Sequence, residues 1–100
     1  MNEKRTCNGL DTWEIEAWIL SLGSFPIKRH YHGVGDENYN MDRAHVLELE
    51  NGKWAVVTEE GCSCYSSEEA EVEVFPYRLM AEAHFQVWLN GDKNRKSYNE

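Results

Sequence analysis

The segment His45–Thr58, HVLELENGKWAVVT, contains two runs of alternating apolar and polar residues that meet at Asn51-Gly52. Such alternation is typical of half-buried β-strands. An Asn-Gly pair between two strands favours a two-residue type I′ turn, because both central residues of that turn adopt a positive φ. The segment therefore predicts a β-hairpin in which Leu49 faces Trp54.

The predicted register divides the hairpin residues between two faces, because successive side chains point to opposite sides of a strand. One face is apolar and would lie in the core: Leu47, Leu49, Trp54 and Val56. The other face is mostly polar, although three apolar residues interrupt it: Val46, Glu48, Glu50, Lys53, Ala55 and Val57. We expect this second face to be exposed to solvent.

A helix is predicted at each end of the chain. In the first, Asp11 and Glu14 have the spacing of a capping box. Its apolar residues recur at helical intervals before Gly23 ends it: Ile15, Trp18, Ile19 and Leu22. In the second, Pro76 suits the first position of a helix that ends at Asn90-Gly91. Its predicted buried face contains Tyr77, Met80, Ala81, His84, Val87 and Trp88.

Two further segments have strand character. Residues 25–32, FPIKRHYH, form a short alternating run, and Glu71–Phe75 alternates with its valines inward and its glutamates outward. The element order α-β-β-β-β-α, without the spacing of βαβ crossovers, predicts an α+β fold. We expect an antiparallel sheet of three to four strands, with the N-terminal and the C-terminal helix packed on one face.

The length of 100 residues fits one domain. We expect that domain to occupy residues 1–91, with residues 1–8 as a flexible arm and residues 92–100 as a disordered polar tail. The N-terminus lacks the apolar region of a secretion signal, and no apolar run approaches the ~20 residues needed to cross a bilayer. We therefore expect a cytoplasmic protein that does not bind membranes, with Cys7, Cys62 and Cys64 present as thiols and not as disulfides.

The chain has 18 acidic and 10 basic residues, which give a formal net charge of −8. Half of the basic residues lie near the two ends: Lys4, Arg5, Lys93, Arg95 and Lys96. The body of the domain is therefore more acidic than the whole chain, and it repels phosphate groups. We expect no direct binding of nucleic acid by the folded part, and we expect a basic protein as partner.

The acidic residues of the predicted sheet fall into two groups. With both helices on one face, the uncovered face would carry Glu48, Glu50, Glu71 and Glu73. The loop that contains the cysteines adds Glu59, Glu60, Glu68 and Glu69. A row of carboxylates can imitate a nucleic-acid backbone and compete for a cationic groove. The alternative is an ordinary solvated face, whose charges also discourage aggregation.

The pairs His30/His32 and Cys62/Cys64 raise the alternative of a zinc site. Each pair places two potential ligands on the same side of an extended backbone, and together they would complete a Cys2His2 set. Structural zinc sites, however, usually separate their cysteines by two to four residues. The competing interpretation is that the two cysteines pack in a turn that begins at Gly61. On this interpretation the protein holds no metal and no cofactor.

No pair of nucleophile and base can be argued from the sequence. The glutamates around Cys62 and Cys64 disfavour a reactive thiolate. His45 and His84 lie on predicted apolar faces, which is typical of core or boundary histidines. Glu59 and Glu60 are adjacent in a strand, so their side chains point to opposite faces and do not form a catalytic pair. We therefore expect that the protein is not an enzyme.

The run Leu47–Phe75, LELENGKWAVVTEEGCSCYSSEEAEVEVF, resembles the small acidic proteins encoded by bacteriophages and other mobile elements. The resemblance covers about a third of the chain and includes no catalytic motif. It implies an anti-defence protein of the anti-CRISPR or anti-restriction type, which binds stoichiometrically and presents an acidic, DNA-mimicking surface to a nuclease complex of the host.

The sequence thus predicts a non-enzymatic binding protein that occludes a basic, nucleic-acid-binding protein surface. The predicted contact residues are Glu59, Glu60, Tyr65, Glu68, Glu69, Glu71 and Glu73, with Tyr65 as an aromatic anchor. The second hypothesis is a small scaffold domain that is supported by zinc or forms a homodimer through Val46, Ala55 and Val57. A homodimer is compatible with either hypothesis.

Overall fold

A computed structural model describes residues 3–7, 24–35, 40–62 and 69–99. Several of the predicted features lie outside these residues and stay predictions. They are the N-terminal helix after Asp11 and the positions of Cys64, Tyr65 and Glu68.

Within the described residues the chain forms six strands and one helix. The elements are β1 (Glu3–Cys7), β2 (Pro26–Val34), β3 (Asn40–Leu49), β4 (Trp54–Cys62), β5 (Glu69–Phe75), α1 (Arg78–Asn90) and β6 (Lys96–Asn99). The strands form one sheet in the order β1-β5-β4-β3-β2-β6, and every neighbouring pair is antiparallel. The predicted α+β class with an antiparallel sheet agrees with this architecture, whereas the predicted number of three to four strands is too small.

The two segments near the chain ends are edge strands. Strand β1 pairs with β5, and β6 pairs with β2. Arg95, just before β6, donates hydrogen bonds to both carboxylate oxygens of Asp42 at 2.9 and 3.1 Å. It also donates to the backbone oxygen of Trp88 at 2.6 Å. The predicted flexible arm over 1–8 and disordered tail over 92–100 are therefore wrong for residues 3–7 and 96–99, because backbone pairing outweighs the polar composition of both segments.

The hairpin between β3 and β4 exists, but its register differs from the prediction by one residue. Glu48 lies opposite Trp54, and the chain turns through three residues, Glu50, Asn51 and Gly52. Gly52 has φ +82°, and no other described residue has a positive φ. A type I′ turn would need a positive φ at Asn51 as well, so the loop is of the three-residue type that places a left-handed glycine last.

This one-residue shift changes which side chains share a face. Val46 and Val56 are opposite one another, and their face is the one on which α1 packs. We call it the helix face. Val57 lies on the other side, which we call the opposite face. Val46 and Val57 are 0% and 1% exposed, so the predicted solvent exposure of both residues is wrong.

The core on the helix face is aromatic and aliphatic: Ala44, Val46, Trp54, Val56, Phe75, Ala81 and Phe85. The opposite face is also buried, at Leu49, Ala55, Val57, Val72 and Val74. Burial of each large side chain contributes about 1.5–3 kcal/mol. The predicted homodimer surface of Val46, Ala55 and Val57 is therefore inside the protein.

Helix α1 packs on the sheet through Ala81 and Phe85, which are its buried residues. Gly33 allows the helix to pack close to β2, since a Cβ atom there would clash with the ring of Trp88. The predicted buried face is wrong at Tyr77, Met80 and Val87, which are 70%, 41% and 73% exposed. The apolar residues of α1 surround the helix, so their spacing alone did not distinguish its inner side from its outer side.

Candidate functional site

The glutamates of β5 lie on the helix face of the sheet. Glu71 is opposite Thr58 and Glu73 is opposite Val56, whereas Val72 and Val74 point to the opposite face. The predicted alternation of β5 is thus confirmed. The predicted uncovered acidic face is wrong, because helix α1 packs on the side that carries the glutamates.

Four glutamate positions lie next to one another at one end of the helix face, away from the turn at Gly52. We call Glu60, Glu69, Glu71 and Glu73 the acidic patch. Glu60 and Glu69 are opposite one another in β4 and β5, and the other two follow at alternate positions along β5. Neighbouring strands are about 4.8 Å apart and alternate residues of one strand about 6.8 Å apart. Four of the seven predicted contact residues therefore occupy one small area.

Glu59 is not part of this surface. Its residue is 1% exposed on the opposite face, where its Oε2 atom accepts a hydrogen bond from Nε2 of His45 at 2.9 Å. Nδ1 of the same imidazole accepts from Nη1 of Arg29 at 3.4 Å, which leaves the imidazole proton on Nε2. Arg43 lies opposite Glu59 in the register. The prediction that Glu59 contacts a partner is therefore wrong, because its carboxylate is buried and accepts a hydrogen bond from His45 within the protein. The prediction that Glu59 and Glu60 point to opposite faces is confirmed.

Glu48 and Glu50 lie at the other end of the sheet and do not extend the acidic patch. Glu48 accepts a hydrogen bond from Nε2 of His30 at 2.8 Å. Glu50 accepts one from the backbone N–H of Phe25 at 3.1 Å. Near them, Glu82 accepts from Arg78 at 2.7 Å, and this hydrogen bond, followed by that with Tyr31, raises the pKa of Arg78. This end of the helix face thus pairs its carboxylates with nearby donors.

The described residues do not bring the ligands of the alternative zinc site together. Strand β2 has a bulge between Arg29 and Tyr31, which places His30 and His32 on opposite faces of the sheet. The His30 ring contacts Trp54 on the helix face, with centroids 4.7 Å apart, whereas His32 lies opposite His45. Cys62 is eight residues along β4 from Trp54, a distance of about 26 Å. The two histidines therefore cannot share an ion with Cys62.

A different group of ligand types meets at the acidic patch. One ligand atom each of Glu71, Glu73 and His84 lies within 4.8 Å of the others. Nδ1 of His84 is 3.9 Å from Oε2 of Glu73. The imidazole also packs against Phe75, with ring centroids 5.2 Å apart. Sequence reasoning missed this group because it placed the glutamates and α1 on different faces of the sheet.

A groove of about 410 Å³ lies between α1 and the pair β2–β6. Its lining includes Tyr31, Leu79, Glu82, Ala83, Gln86 and Ser97. The hydroxyl of Tyr31 accepts a hydrogen bond from Arg78 at 3.0 Å, and Glu82 is bonded to the same guanidinium. Two polar side chains of the groove, Tyr31 and Glu82, are thus bonded to Arg78, and the groove lies towards β2 and β6, whereas the acidic patch lies on β4 and β5.

No protein-family model matches the chain, and no curated protein is significantly similar to it. Among the described residues, no helix has the length and apolar character needed to span a membrane.

Proposed function

We propose that the protein is a non-enzymatic binding protein whose acidic patch occludes a cationic surface of a nucleic-acid-binding protein. The observation that supports this proposal is that Glu60 lies opposite Glu69 in the neighbouring strand. Glu71 and Glu73 follow Glu69 at alternate positions on the same face. Like charges at such spacings repel one another. A cationic partner relieves that repulsion and releases the counterions that both surfaces hold.

The spacing of the patch sets the size of the partner site. Its backbone positions are about 5–7 Å apart, whereas a DNA strand carries one charge per ~3.4 Å of axis. The patch is therefore a sparse imitation of a backbone and matches a few Lys or Arg side chains rather than a long groove.

The proposal retains four of the contact residues expected from the sequence and removes Glu59. Tyr65 and Glu68, which precede β5 in the chain, stay predictions. The resemblance of Leu47–Phe75 to phage-encoded anti-defence proteins suggests a nuclease complex of a host defence system as the partner. The mechanism is occlusion, which requires no bond to be made or broken.

The test is capture of bacterial lysate proteins by the immobilised chain at low and at high salt, followed by DNA-binding assays on each captured protein. The test variant is Glu60→Lys with Glu71→Lys, and the control is Glu50→Lys with Glu82→Lys, which changes the net charge equally at the other end. We expect a DNA-binding protein that is captured at low salt, lost at high salt, lost by the test variant and kept by the control.

Three results would contradict the proposal. The first is capture that does not depend on salt. The second is equal loss by the test and control variants, which would indicate attraction by net charge alone. The third is a captured protein that still binds DNA at full affinity when the chain is present in excess.

A further inference from the structure

The group formed by Glu71, Glu73 and His84 combines residues of two consecutive elements, β5 and α1. The two glutamates are alternate residues of β5 and therefore share a face. His84 comes from α1, one turn after Ala81, which packs against the sheet. Packing of the helix thus brings an imidazole to two carboxylates, with one ligand atom of each residue within 4.8 Å of the others.

The chemistry of this donor set matches divalent first-row transition metals. Imidazole nitrogen and carboxylate oxygen both bind such ions, at about 2.0–2.2 Å for Zn²⁺. Donors around a tetrahedral ion are then about 3.3 Å apart, so the 3.9 Å between His84 Nδ1 and Glu73 Oε2 needs a shift of only about 0.6 Å. The side chains of His84 and Glu73 are 33% and 14% exposed, which leaves room for that adjustment.

The position of the imidazole is supported by a residue that is not itself a ligand. Phe75 is 4% exposed, and its ring is tilted by 46° against that of His84 at 5.2 Å. Phe75 follows Glu73 at the next position on the same face of β5. A buried aromatic side chain therefore limits the orientations of His84 and keeps its ring beside the carboxylates, which reduces the entropy lost on binding an ion.

We propose that Glu71, Glu73 and His84 bind one divalent transition-metal ion through three protein ligands, with the remaining coordination positions open. The site does not depend on the proposed function, although the two share Glu71 and Glu73. Because His84 is not part of the acidic patch, its substitution removes a metal ligand and leaves the patch intact.

The test is calorimetric titration of the full chain with ZnCl₂ after removal of metals by a chelator. We expect one Zn²⁺ per chain, and a loss of affinity of at least about tenfold in His84→Gln. The matched control is His30→Gln, which removes another histidine that is bonded to a glutamate on the same face. We expect the control to bind Zn²⁺ as the wild type does.

Thiols are the competing ligands, so the titration is repeated on a variant with Cys7, Cys62 and Cys64 all changed to serine. Retained binding in this variant supports the proposed site, and lost binding overturns it. Absence of binding by the wild type, or equal affinity of wild type and His84→Gln, also overturns it. A fold control by circular dichroism accompanies each variant. Partner capture by His84→Gln separates the two proposals, since this variant should still bind the partner.

Discussion

The described residues contain three histidine–glutamate pairs, His30–Glu48, His45–Glu59 and His84–Glu73, and the last two differ most in distance and burial. In the pair on the opposite face, His45 and Glu59 are 2.9 Å apart and their side chains are 13% and 2% exposed. In the pair on the helix face, His84 and Glu73 are 3.9 Å apart and their side chains are 33% and 14% exposed. Both pairs have the same residue types, so the comparison teaches that in these two it is the more buried pair that is hydrogen-bonded and fixed, and the more exposed pair that can adapt.

The physical reason lies in the cost of removing a carboxylate from water. A buried carboxylate must be surrounded by donors, and those donors then fix its position. Glu59 has a hydrogen bond from His45 and lies opposite Arg43 in the register. Glu73 keeps some contact with solvent, which screens its charge and lets the side chain move.

The largest effect on stability is expected at the buried pair, and its absence would break this comparison. Glu59→Ala leaves the donors around it without their acceptor, and we expect a loss of about 3 kcal/mol or more in the free energy of unfolding. Glu59→Gln keeps an acceptor oxygen for His45 and should lose only about 1 kcal/mol. Urea unfolding followed by circular dichroism measures both. Equal stability of wild type and Glu59→Ala would show that the buried pair is not structural.

Replacing the histidine of each pair should have a smaller effect on stability, and the difference between the two variants sharpens the comparison. His45→Ala removes a donor from a buried carboxylate, and we expect a loss of about 1–3 kcal/mol. His84→Ala removes a side chain that is beyond hydrogen-bond distance of Glu73, so the loss should stay below about 1 kcal/mol. The same urea experiment gives both values. If His84→Ala lowers the free energy of unfolding more than His45→Ala does, the His84–Glu73 pair is the structural one.

The smallest effect concerns salt. Raising NaCl from about 0.01 M to about 1 M shortens the screening length from ~30 Å to ~3 Å. Repulsion within the acidic patch should then weaken, and we expect the wild type to gain about 0.5 kcal/mol of stability. The variant Glu60→Gln with Glu71→Gln should gain less, because fewer charges remain. An equal gain in both proteins would show that the repulsion screened by salt does not come from Glu60 and Glu71.

Much of the local structure could be predicted from the sequence. The alternation in Glu71–Phe75 predicted β5, and Asn51-Gly52 predicted the turn between β3 and β4. Pro76 and Asn90 approximately marked the ends of α1. These features depend on residues close together in the chain, whose preferences act locally.

The features that were wrong are those for which the local pattern allows more than one structure. Asn-Gly suits both a two-residue and a three-residue loop, and the difference of one residue reversed the faces of β4 relative to β3. The bulge at His30 has no local signal, yet it separates His30 from His32. The helix α1 has apolar residues on all sides, so its contact with the β5 glutamates, and with it the candidate metal site, could not be read from spacing.

The order of the strands has a practical consequence for handling the protein. Strand β1 borders β5, with Lys4 opposite Glu73, whereas β6 lies four strands away from β5 at the other edge. The separation of β5 and β6 is about 19 Å. An affinity tag joined ahead of β1 would crowd the glutamates, and a tag joined after β6 would leave them accessible. Immobilisation and labelling are therefore best made at the β6 edge.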